Sequence, residues 1–374
     1  MQVHGAHSVK PGSAGHGGPR SADYNKAPVV IFWETTKACA LACKHCRATA
    51  QPQRHPDELT TEEGFRLIEE IARFPGKPIL IFTGGDALMR RDLFDLMQHA
   101  KDTGVLFSLS PTASALVTRE RLTRAKEMGL SRLSFSLDGA TPEIHDSFRG
   151  FSGSYQRTME SIREAVDVGL SLQVNTTVSR RNLADLPAIA EMVRGMGVVL
   201  WDLFFLVPVG RGAREDVITP RQHEELYNWL YDLGQRAPYA IKVTLGQPYR
   251  RVALQRQGHD APPKEGAASV PTTNDGKGVC FISHVGEVYP SGFLPILAGN
   301  VRQQSLVDIY QNAPIFRELR DPSKLKGKCG VCSFNEVCGG CRARAYGFTG
   351  DYLAPEPCCV YQPPGSAQDA RLAA

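Results

Sequence analysis

Short apolar runs alternate with amphipathic stretches through the first half of the chain. Six runs rich in β-branched and aromatic residues predict β-strands. They are "VVIFWET" from Val29, "ILIFTG" from Ile79, "VLFSLS" from Val105, "RLSFSLDG" from Arg132, "LQVNTTV" from Leu172 and "LWDLFFLVP" from Leu200. The stretches between them repeat with a helical period, and in the first of them Thr60 and Glu63 form a capping box. Further helices are expected from near Arg91, Thr118, Ser154 and Asn182.

Each helical stretch is long enough to return the chain to a parallel strand, so the pattern predicts six successive βα units. Such units form a parallel sheet that is either doubly wound or curved into a barrel, with ligand groups at the carboxyl ends of the strands. Polar clusters lie at those ends: "TGGD", "SPTAS", "SLDG" and "NTTVSRRN". Ordinary βα turns are the alternative interpretation of each cluster.

The remaining chain changes character after about residue 235. A helix is expected from Thr219 and a strand in "IKVTLGQP", followed by a Gly- and Pro-rich loop from Gln257 to Lys277. Seven cysteines between Cys280 and Cys359 then accompany short, irregular elements, as when metal ligands replace a hydrophobic core. We therefore expect a disordered leader (1–27), an α/β domain (28–235), a connecting segment (236–277), a cysteine-rich domain (278–362) and a disordered tail (363–374).

Composition excludes several classes of function. The 43 basic and 39 acidic residues are spread along the chain, without the basic stripe that nucleic-acid binding requires. No apolar run approaches the roughly 20 residues of a membrane-spanning helix. The ten cysteines fall in CxxC-type spacings and no secretion signal precedes them, which favours metal binding in the reducing cytoplasm over disulfides.

Cys39, Cys43 and Cys46 lie within eight residues and form the first metal-binding pattern. Thiolates select zinc, copper(I) and iron–sulfur clusters. A structural zinc ion requires four protein ligands, but no fourth cysteine is near and His45 is poorly placed between the others. A cubane cluster held by three thiolates leaves one iron open to bind another molecule.

The stretch "CALACKHC" resembles the CxxxCxxC motif of the radical S-adenosylmethionine (SAM) superfamily, and it follows the first predicted strand as in that family. The resemblance implies a partial (β/α)6 TIM-like barrel and a [4Fe-4S] cluster whose open iron binds SAM. It also implies a reducing electron donor, flavodoxin- or ferredoxin-like, and cleavage of SAM to a 5′-deoxyadenosyl radical that abstracts hydrogen from a substrate.

Three further motifs resemble the SAM-binding segments of the family. Gly84, Gly85 and Asp86 resemble its GGE motif, whose backbone and acid receive the amino group of SAM, although Ala87 stands where proline is commoner. The other matches are Ser136 and Asp138 in "SLDG", near the ribose, and Arg149 in "HDSFRG", for the carboxylate. A surface ion pair is the alternative for Arg149. His45 stands where the family often has an aromatic residue, so we expect it to pack rather than transfer protons.

The stretch "CGVCSFNEVCGGC", from Cys329 to Cys341, is the second cysteine pattern. Alone it fits a small zinc knuckle. Beside the first motif it resembles the SPASM extension of radical SAM enzymes, which houses auxiliary [4Fe-4S] clusters. The resemblance implies one cluster on Cys329, Cys332, Cys338 and Cys358. Cys280 and Cys341 match ligands of a second cluster, but Ser291 replaces another of its cysteines, and Cys359 is either an alternative ligand or a spare thiol.

The substrate is predicted from three motifs: "TGGDALMRRDL", "SLDG…HDSFRG" and "FFLVPVGRG". They resemble the branch that contains AdoMet-dependent heme synthases and heme d1 biosynthesis enzymes. This implies heme biosynthesis, with decarboxylation of a tetrapyrrole propionate. Arg211, Arg250 and Arg251 are candidates to meet its carboxylates, or else solvent-facing charges. The alternatives are a maturase with a peptide substrate and a protein that uses its clusters only for electron transfer.

Overall fold

The computed structural model describes residues 23–262, 272–364 and 366. Most of the predicted leader, the central part of the predicted loop and most of the predicted tail lie outside the described residues. Residues 23–27 are described, and the carbonyl of Tyr24 accepts hydrogen bonds from Tyr310 Oη (2.9 Å) and Arg320 Nη1 (2.8 Å).

Ten described strands belong to one sheet. They are β1 (Val30–Glu34), β2 (Ile79–Thr83), β3 (Phe107–Leu109), β4 (Arg132–Ser136), β5 (Leu172–Val178), β6 (Leu200–Phe205), β7 (Ala240–Thr244), β8 (Val279–Ile282), β9 (Glu287–Tyr289) and β10 (Gly299–Asn300). Their order in the sheet is β10-β9-β8-β1-β2-β3-β4-β5-β6-β7.

Twelve α-helices are described. They are α1 (Thr61–Ala72), α2 (Leu93–Asp102), α3 (Arg119–Glu127), α4 (Pro142–Arg149), α5 (Ser154–Val168), α6 (Leu186–Arg194), α7 (Pro220–Gly234), α8 (Pro248–Arg256), α9 (Leu306–Asn312), α10 (Pro314–Arg320), α11 (Gly327–Gly330) and α12 (Arg342–Thr349). None of them combines the length and apolar composition needed to cross a membrane.

The predicted α/β architecture is confirmed, and the six predicted strands lie side by side and parallel as β1 to β6. The sheet stays open because β7 and β10 form its edges, as in a barrel that does not close. Two further parallel strands extend this set of six: β7, which was predicted in "IKVTLGQP", and β8, which was not. β7 pairs with β6, and β8 pairs with β1 at the opposite side, with Val279 opposite Val30. The predicted start of the cysteine-rich domain, residue 278, therefore comes just before a strand of the main sheet.

Local signals set the helix ends. The predicted capping box at α1 is present, since Thr60 Oγ1 accepts from the amide of Glu63 and the Glu63 carboxylate accepts from the amide of Thr60. Helix α4 was not predicted. It begins after the N-cap Thr141 and ends at Gly150, which adopts a left-handed conformation with φ of 65°. This helix places Arg149 at the carboxyl end of the sheet.

A buried arginine fixes the carboxyl end of β1. Arg90 is 2% exposed, and its guanidinium donates to the carbonyls of Thr35 (3.0 Å) and Leu59 (2.8 Å). It also pairs with Asp92 at 2.9 Å. Through these contacts Arg90 connects the segment after β1 with the start of α1 and with the turn before α2.

Replacement of Arg90 by alanine should destabilise the fold, because it removes the charged partner of the largely buried Asp92 carboxylate and the donor to two carbonyls. Breaking a buried ion pair costs about 3 kcal/mol or more. The midpoint of urea unfolding reports this loss. The control is Arg91→Ala, at an exposed neighbour, which should change stability by less than about 0.5 kcal/mol. Equal midpoints for the two variants would contradict the role given to Arg90.

Candidate active site

The loop between β1 and α1 brings the first three cysteines together. A β-bridge between Ala38 and Gln51 closes it, with the amide of Cys39 donating to the carbonyl of Gln51 at 2.8 Å. Cys39 and Cys43 are buried, and half-buried Cys46 packs against them. We refer to residues 38–51 as the cysteine loop.

The segment after β6 supports the backbone of the cysteine loop. Arg211 donates from Nε to the carbonyl of Cys43 at 2.8 Å and from its amide to the carbonyl of Cys46 at 2.9 Å. Gly210 has φ of 60°, and a Cβ there would lie 2.5 Å from the carbonyl oxygen of Arg47. Only glycine therefore permits this close approach.

The two glycines of "TGGD" lie directly against the start of the same loop. The amide of Gly85 donates to Thr36 O (2.8 Å), and that of Asp86 donates to Ala38 O (2.7 Å). A Cβ would lie 2.6 Å from Thr36 O at Gly84 and 2.4 Å from Ala38 O at Gly85. Any side chain would push the turn away from Cys39.

The Asp86 carboxylate fixes this turn to the segment after β3. It is fully buried and accepts hydrogen bonds from the amides of Leu88 (3.1 Å) and Thr112 (3.3 Å) and from Ser114 Oγ (2.7 Å). Burial raises the pKa of the Asp86 carboxyl group, and the three hydrogen bonds partly offset this rise. Thr112 Oγ1 in turn lies 3.7 Å from Cys39 Sγ. Direct contact of Asp86 with SAM stays a prediction.

Two of the predicted SAM-binding residues meet each other. Arg149 pairs with Asp138 at 2.5 Å, and its Nη1 lies 3.8 Å from Cys43 Sγ. The other carboxylate oxygen of Asp138 accepts from the amide of Thr177 at 2.7 Å. Ser136 is half-buried at the end of β4. The arrangement places a guanidinium beside the cysteine loop, and Arg149 is not a surface ion pair.

His45 packs against Phe148, with 4.3 Å between ring centroids. Burial, with Arg149 and Arg211 adding to it, holds its pKa well below the usual range, so the ring is neutral at pH 7. Two buried atoms beside the loop, His45 Nδ1 and Arg211 Nη2, have no hydrogen-bond partner among the described residues. Buried polar atoms normally have partners, so the loop fits a site that a bound group completes.

Four cysteines line a cavity in the carboxyl-terminal part: Cys329, Cys332, Cys338 and Cys359. Cys358 does not line it and instead packs against Leu206, Val217 and Phe348. The sequence placed Cys358 in this group, whereas in the structure Cys359 lines the cavity, so which of the two adjacent cysteines is a ligand stays a prediction. Cys359, which the sequence left as an alternative ligand, joins the other three.

Burial makes two of these thiols, Cys338 and Cys359, much poorer acids than a free cysteine. Burial raises the pKa of Cys359 to about 11 and raises that of Cys338 further. Metal binding removes such protons, because the thiolate is the ligand. Within the described residues, no three His, Cys, Asp or Glu side chains converge closely enough to hold a single metal ion.

The two remaining predicted ligands do not line this cavity. Cys280 lies in β8 and is fully buried in the main core. Cys341 caps α12, where its Sγ accepts from the amide of Arg344 at 3.3 Å. Ser291 Oγ accepts a hydrogen bond from the amide of Phe293 at 3.2 Å. The role of Cys280 and Cys341 as ligands stays a prediction.

Of the three arginines considered for substrate carboxylates, two are occupied. Arg250 donates to the carbonyl of Val337 at 2.9 Å, and Arg251 pairs with Glu224 at 2.5 Å. Arg211 adjoins the cysteine loop, and its buried Nη2, like Nε of Arg251, has no hydrogen-bond partner among the described residues.

Sequence reasoning missed the contacts of Arg47, which joins the cysteine loop to the end of β1 by an ion pair and to β8 through an aromatic ring. Arg47 pairs with Glu34 at 3.0 Å and lies 4.3 Å from the centre of the Phe281 ring. The other oxygen of Glu34 lies 2.9 Å from Nδ1 of His284. The position of Arg47, directly after Cys46, was the available signal, but its partners are far away in the sequence.

Comparisons with known proteins agree with this geometry. Residues 33–193 match the model of the radical SAM superfamily. The chain is 42% identical to the AdoMet-dependent heme synthase of Methanosarcina barkeri, over 90% of this chain and 97% of that protein. It is 33% identical to the mycofactocin maturase MftC of Mycobacterium tuberculosis, over 92% and 87% of the two chains.

The fold is also that of a solved structure, Streptococcus suis SuiB bound to S-adenosylmethionine. The TM-score is 0.69 at 12% identity, over 90% of this chain and 78% of SuiB. The extent and identity of these matches show that the chain belongs to the radical SAM superfamily and is a radical SAM enzyme that uses a [4Fe-4S] cluster and SAM.

Proposed function

We propose that the enzyme decarboxylates propionate side chains of an iron porphyrin to vinyl groups, in heme biosynthesis. The observation that carries this proposal is the 42% identity to a protein named AdoMet-dependent heme synthase over 97% of that protein's length. Each converted propionate gives up a hydrogen atom, one electron and carbon dioxide, and a vinyl group remains.

The cysteine loop provides the first part of the proposed site. Cys39, Cys43 and Cys46 are the proposed ligands of the [4Fe-4S] cluster, which together with SAM supplies the 5′-deoxyadenosyl radical when both are bound. The proposed SAM-binding residues are Gly84, Gly85 and Asp86, which form a turn that we call the GGD turn, together with Ser136, Asp138 and Arg149. Their support is proximity, since Gly85 contacts the loop backbone and Arg149 lies 3.8 Å from Cys43 Sγ.

Arg211 is the proposed carboxylate-binding residue beside this loop. Its Nε is held by the carbonyl of Cys43 (2.8 Å), so the guanidinium is fixed in orientation. Its unpaired Nη2 remains available to a carboxylate, for which a guanidinium is a strong and permanently charged donor.

The cavity lined by Cys329, Cys332, Cys338 and Cys359 is the proposed auxiliary cluster site. Four thiolates complete the ligand set of a cubane cluster. The reaction releases one electron per propionate, and this site is the acceptor that the chain offers.

Radical SAM enzymes need a reducing electron donor, and the proposed donor is a flavodoxin- or ferredoxin-like protein. A cytoplasmic location is part of the proposal. It is supported by the ten cysteines, all of which are free thiols in the structure.

Peptide maturation is the second candidate function. It is favoured by the 33% identity to a mycofactocin maturase over 87% of that protein. A precursor-peptide gene adjacent to the gene for this chain would support it.

The reaction assay tests the main proposal. Reconstituted protein, incubated without oxygen with SAM, dithionite and iron coproporphyrin, should yield a product lighter by carbon dioxide and two hydrogens per propionate, together with 5′-deoxyadenosine. Cys43→Ala should yield neither product, because a cluster ligand is lost. Mass spectrometry and chromatography detect both. Intact protein that makes 5′-deoxyadenosine but leaves the porphyrin unbound and unchanged would refute this substrate and favour a peptide.

A separate experiment tests whether Cys359 or Cys358 is the fourth ligand of the auxiliary cluster. In protein whose first three cluster cysteines are replaced by alanine, about four iron atoms per chain should remain in the auxiliary site. Adding Cys359→Ala should remove most of this iron, whereas Cys358→Ala should leave it in place. Iron, zinc and sulfide analysis measures the result. Iron retained by Cys359→Ala and lost by Cys358→Ala would restore the ligand set predicted from the sequence.

A further inference from the structure

Two arginines at the start of α12 are buried but differ in their partners. Arg344 is fully buried and holds Glu356 through two contacts, Nε–Oε1 at 2.9 Å and Nη2–Oε2 at 3.1 Å. Arg342 is 1% exposed, yet no carboxylate of the described residues lies within 4.0 Å of it. Glu356, Asp275 and Asp351 act on it only at longer range. A buried cation without a directly contacting carboxylate is costly, so the surroundings of Arg342 require an explanation.

Neutral groups occupy most of the Arg342 donors. Its Nε donates to the carbonyl of Gly340 at 3.3 Å, and its Nη1 donates to those of Tyr352 (3.0 Å) and Ala354 (2.7 Å). The remaining nitrogen, Nη2, lies 3.8 Å from Cys329 Sγ. The guanidinium is thus held rigidly by three carbonyls and presents its last nitrogen to a cysteine of the auxiliary cavity.

The chain keeps the space between guanidinium and sulfur clear. Gly340 has φ of 66°, and a Cβ there would lie 2.5 Å from Arg342 Nη2 and 3.5 Å from Cys329 Sγ. Any other residue would separate the two groups. Glycine thereby permits direct contact between the cation and the thiol.

Backbone amides also point to the sulfurs of this cavity. The amide of Glu356 lies 3.3 Å from Cys329 Sγ, and that of Gly340 lies 3.4 Å from Cys338 Sγ. Donors to sulfur, net charge and solvent exposure set the reduction potential of an iron–sulfur cluster. Cys329 therefore receives both a backbone donor and a buried positive charge.

We infer that Arg342 is a counter-ion of the auxiliary cluster, in addition to Arg251 and Lys328 at the cavity wall, and raises its reduction potential, so that the cluster accepts the electron that the substrate gives up. The inference rests on the proposed auxiliary site. Accepting one electron makes the site more negative by one charge, and a fixed cation beside Cys329 favours that reduced state. Arg344 has no such effect to offer, because Glu356 neutralises it.

The reduction potential itself is the test. In full-length protein with Cys39, Cys43 and Cys46 replaced by alanine, only the auxiliary cluster remains, and a redox titration followed by electron paramagnetic resonance measures it. Arg342→Gln should lower the ratio of reduced to oxidised cluster at a fixed potential about tenfold, which equals 59 mV for a one-electron couple. The matched control is Arg317→Gln, which removes a charge from the exposed side of α10 and should leave the potential unchanged.

A conservative variant keeps the test decisive if Arg342→Gln loses its cluster. Arg342→Lys retains the charge but loses the rigid fork, and its potential should fall by less than that of the Gln variant. A cluster-loaded variant at position 342 with the same potential as Arg317→Gln would overturn the inference. The titration needs neither SAM nor porphyrin, so its outcome is independent of the decarboxylation assay.

Discussion

The backbone of the cysteine loop must find its hydrogen bonds outside any helix, because only one bridge gives it regular structure and Cys39 and Cys43 within it are buried. Unpaired buried backbone groups are costly, so distant segments supply the partners. The GGD turn after β2 donates hydrogen bonds to the carbonyls at the start of the loop. The carbonyl of Phe148 accepts from the amide of Lys44 (3.1 Å), and Arg211 donates to carbonyls in the middle of the loop. The position of the three thiols therefore depends on strands β1, β2 and β6 and on α4 together.

The strands could be predicted where a long β-branched run is bounded by turn residues, as in β5, which matches the predicted "LQVNTTV" over Leu172–Val178. The sequence did not reveal the place of β8 in the sheet. Its four residues, "VCFI", carry no distinctive pattern, and it is a strand of the main sheet only because β1 offers an open edge. Helix α4 was not predicted for another reason, since its eight residues were interpreted only through the motif "HDSFRG".

Site residues could be predicted where spacing along the chain carries the chemistry, as in Cys39, Cys43 and Cys46. The contacts that these residues make with distant segments of the chain could not be predicted. The pairing of Arg149 with Asp138 depends on α4 lying over the end of β4. Spacing along the chain also cannot decide which of the adjacent Cys358 and Cys359 faces the cavity, where the structure places Cys359.

Strand β1 pairs with β8, with Val30 opposite Val279, so the main sheet can be completed only after β8 has been synthesised. A ribosome releases β1 long before it reaches β8, so one hydrogen-bonding edge of β1 has no partner while most of the chain is still being made. Contacts between such distant segments form slowly, and open strand edges invite association with other chains. The cysteine loop and Arg211 emerge earlier, whereas Arg47 meets Phe281 only at the end. Closure of this edge is thus a late event of biosynthesis, and nascent chains are most exposed to aggregation before it.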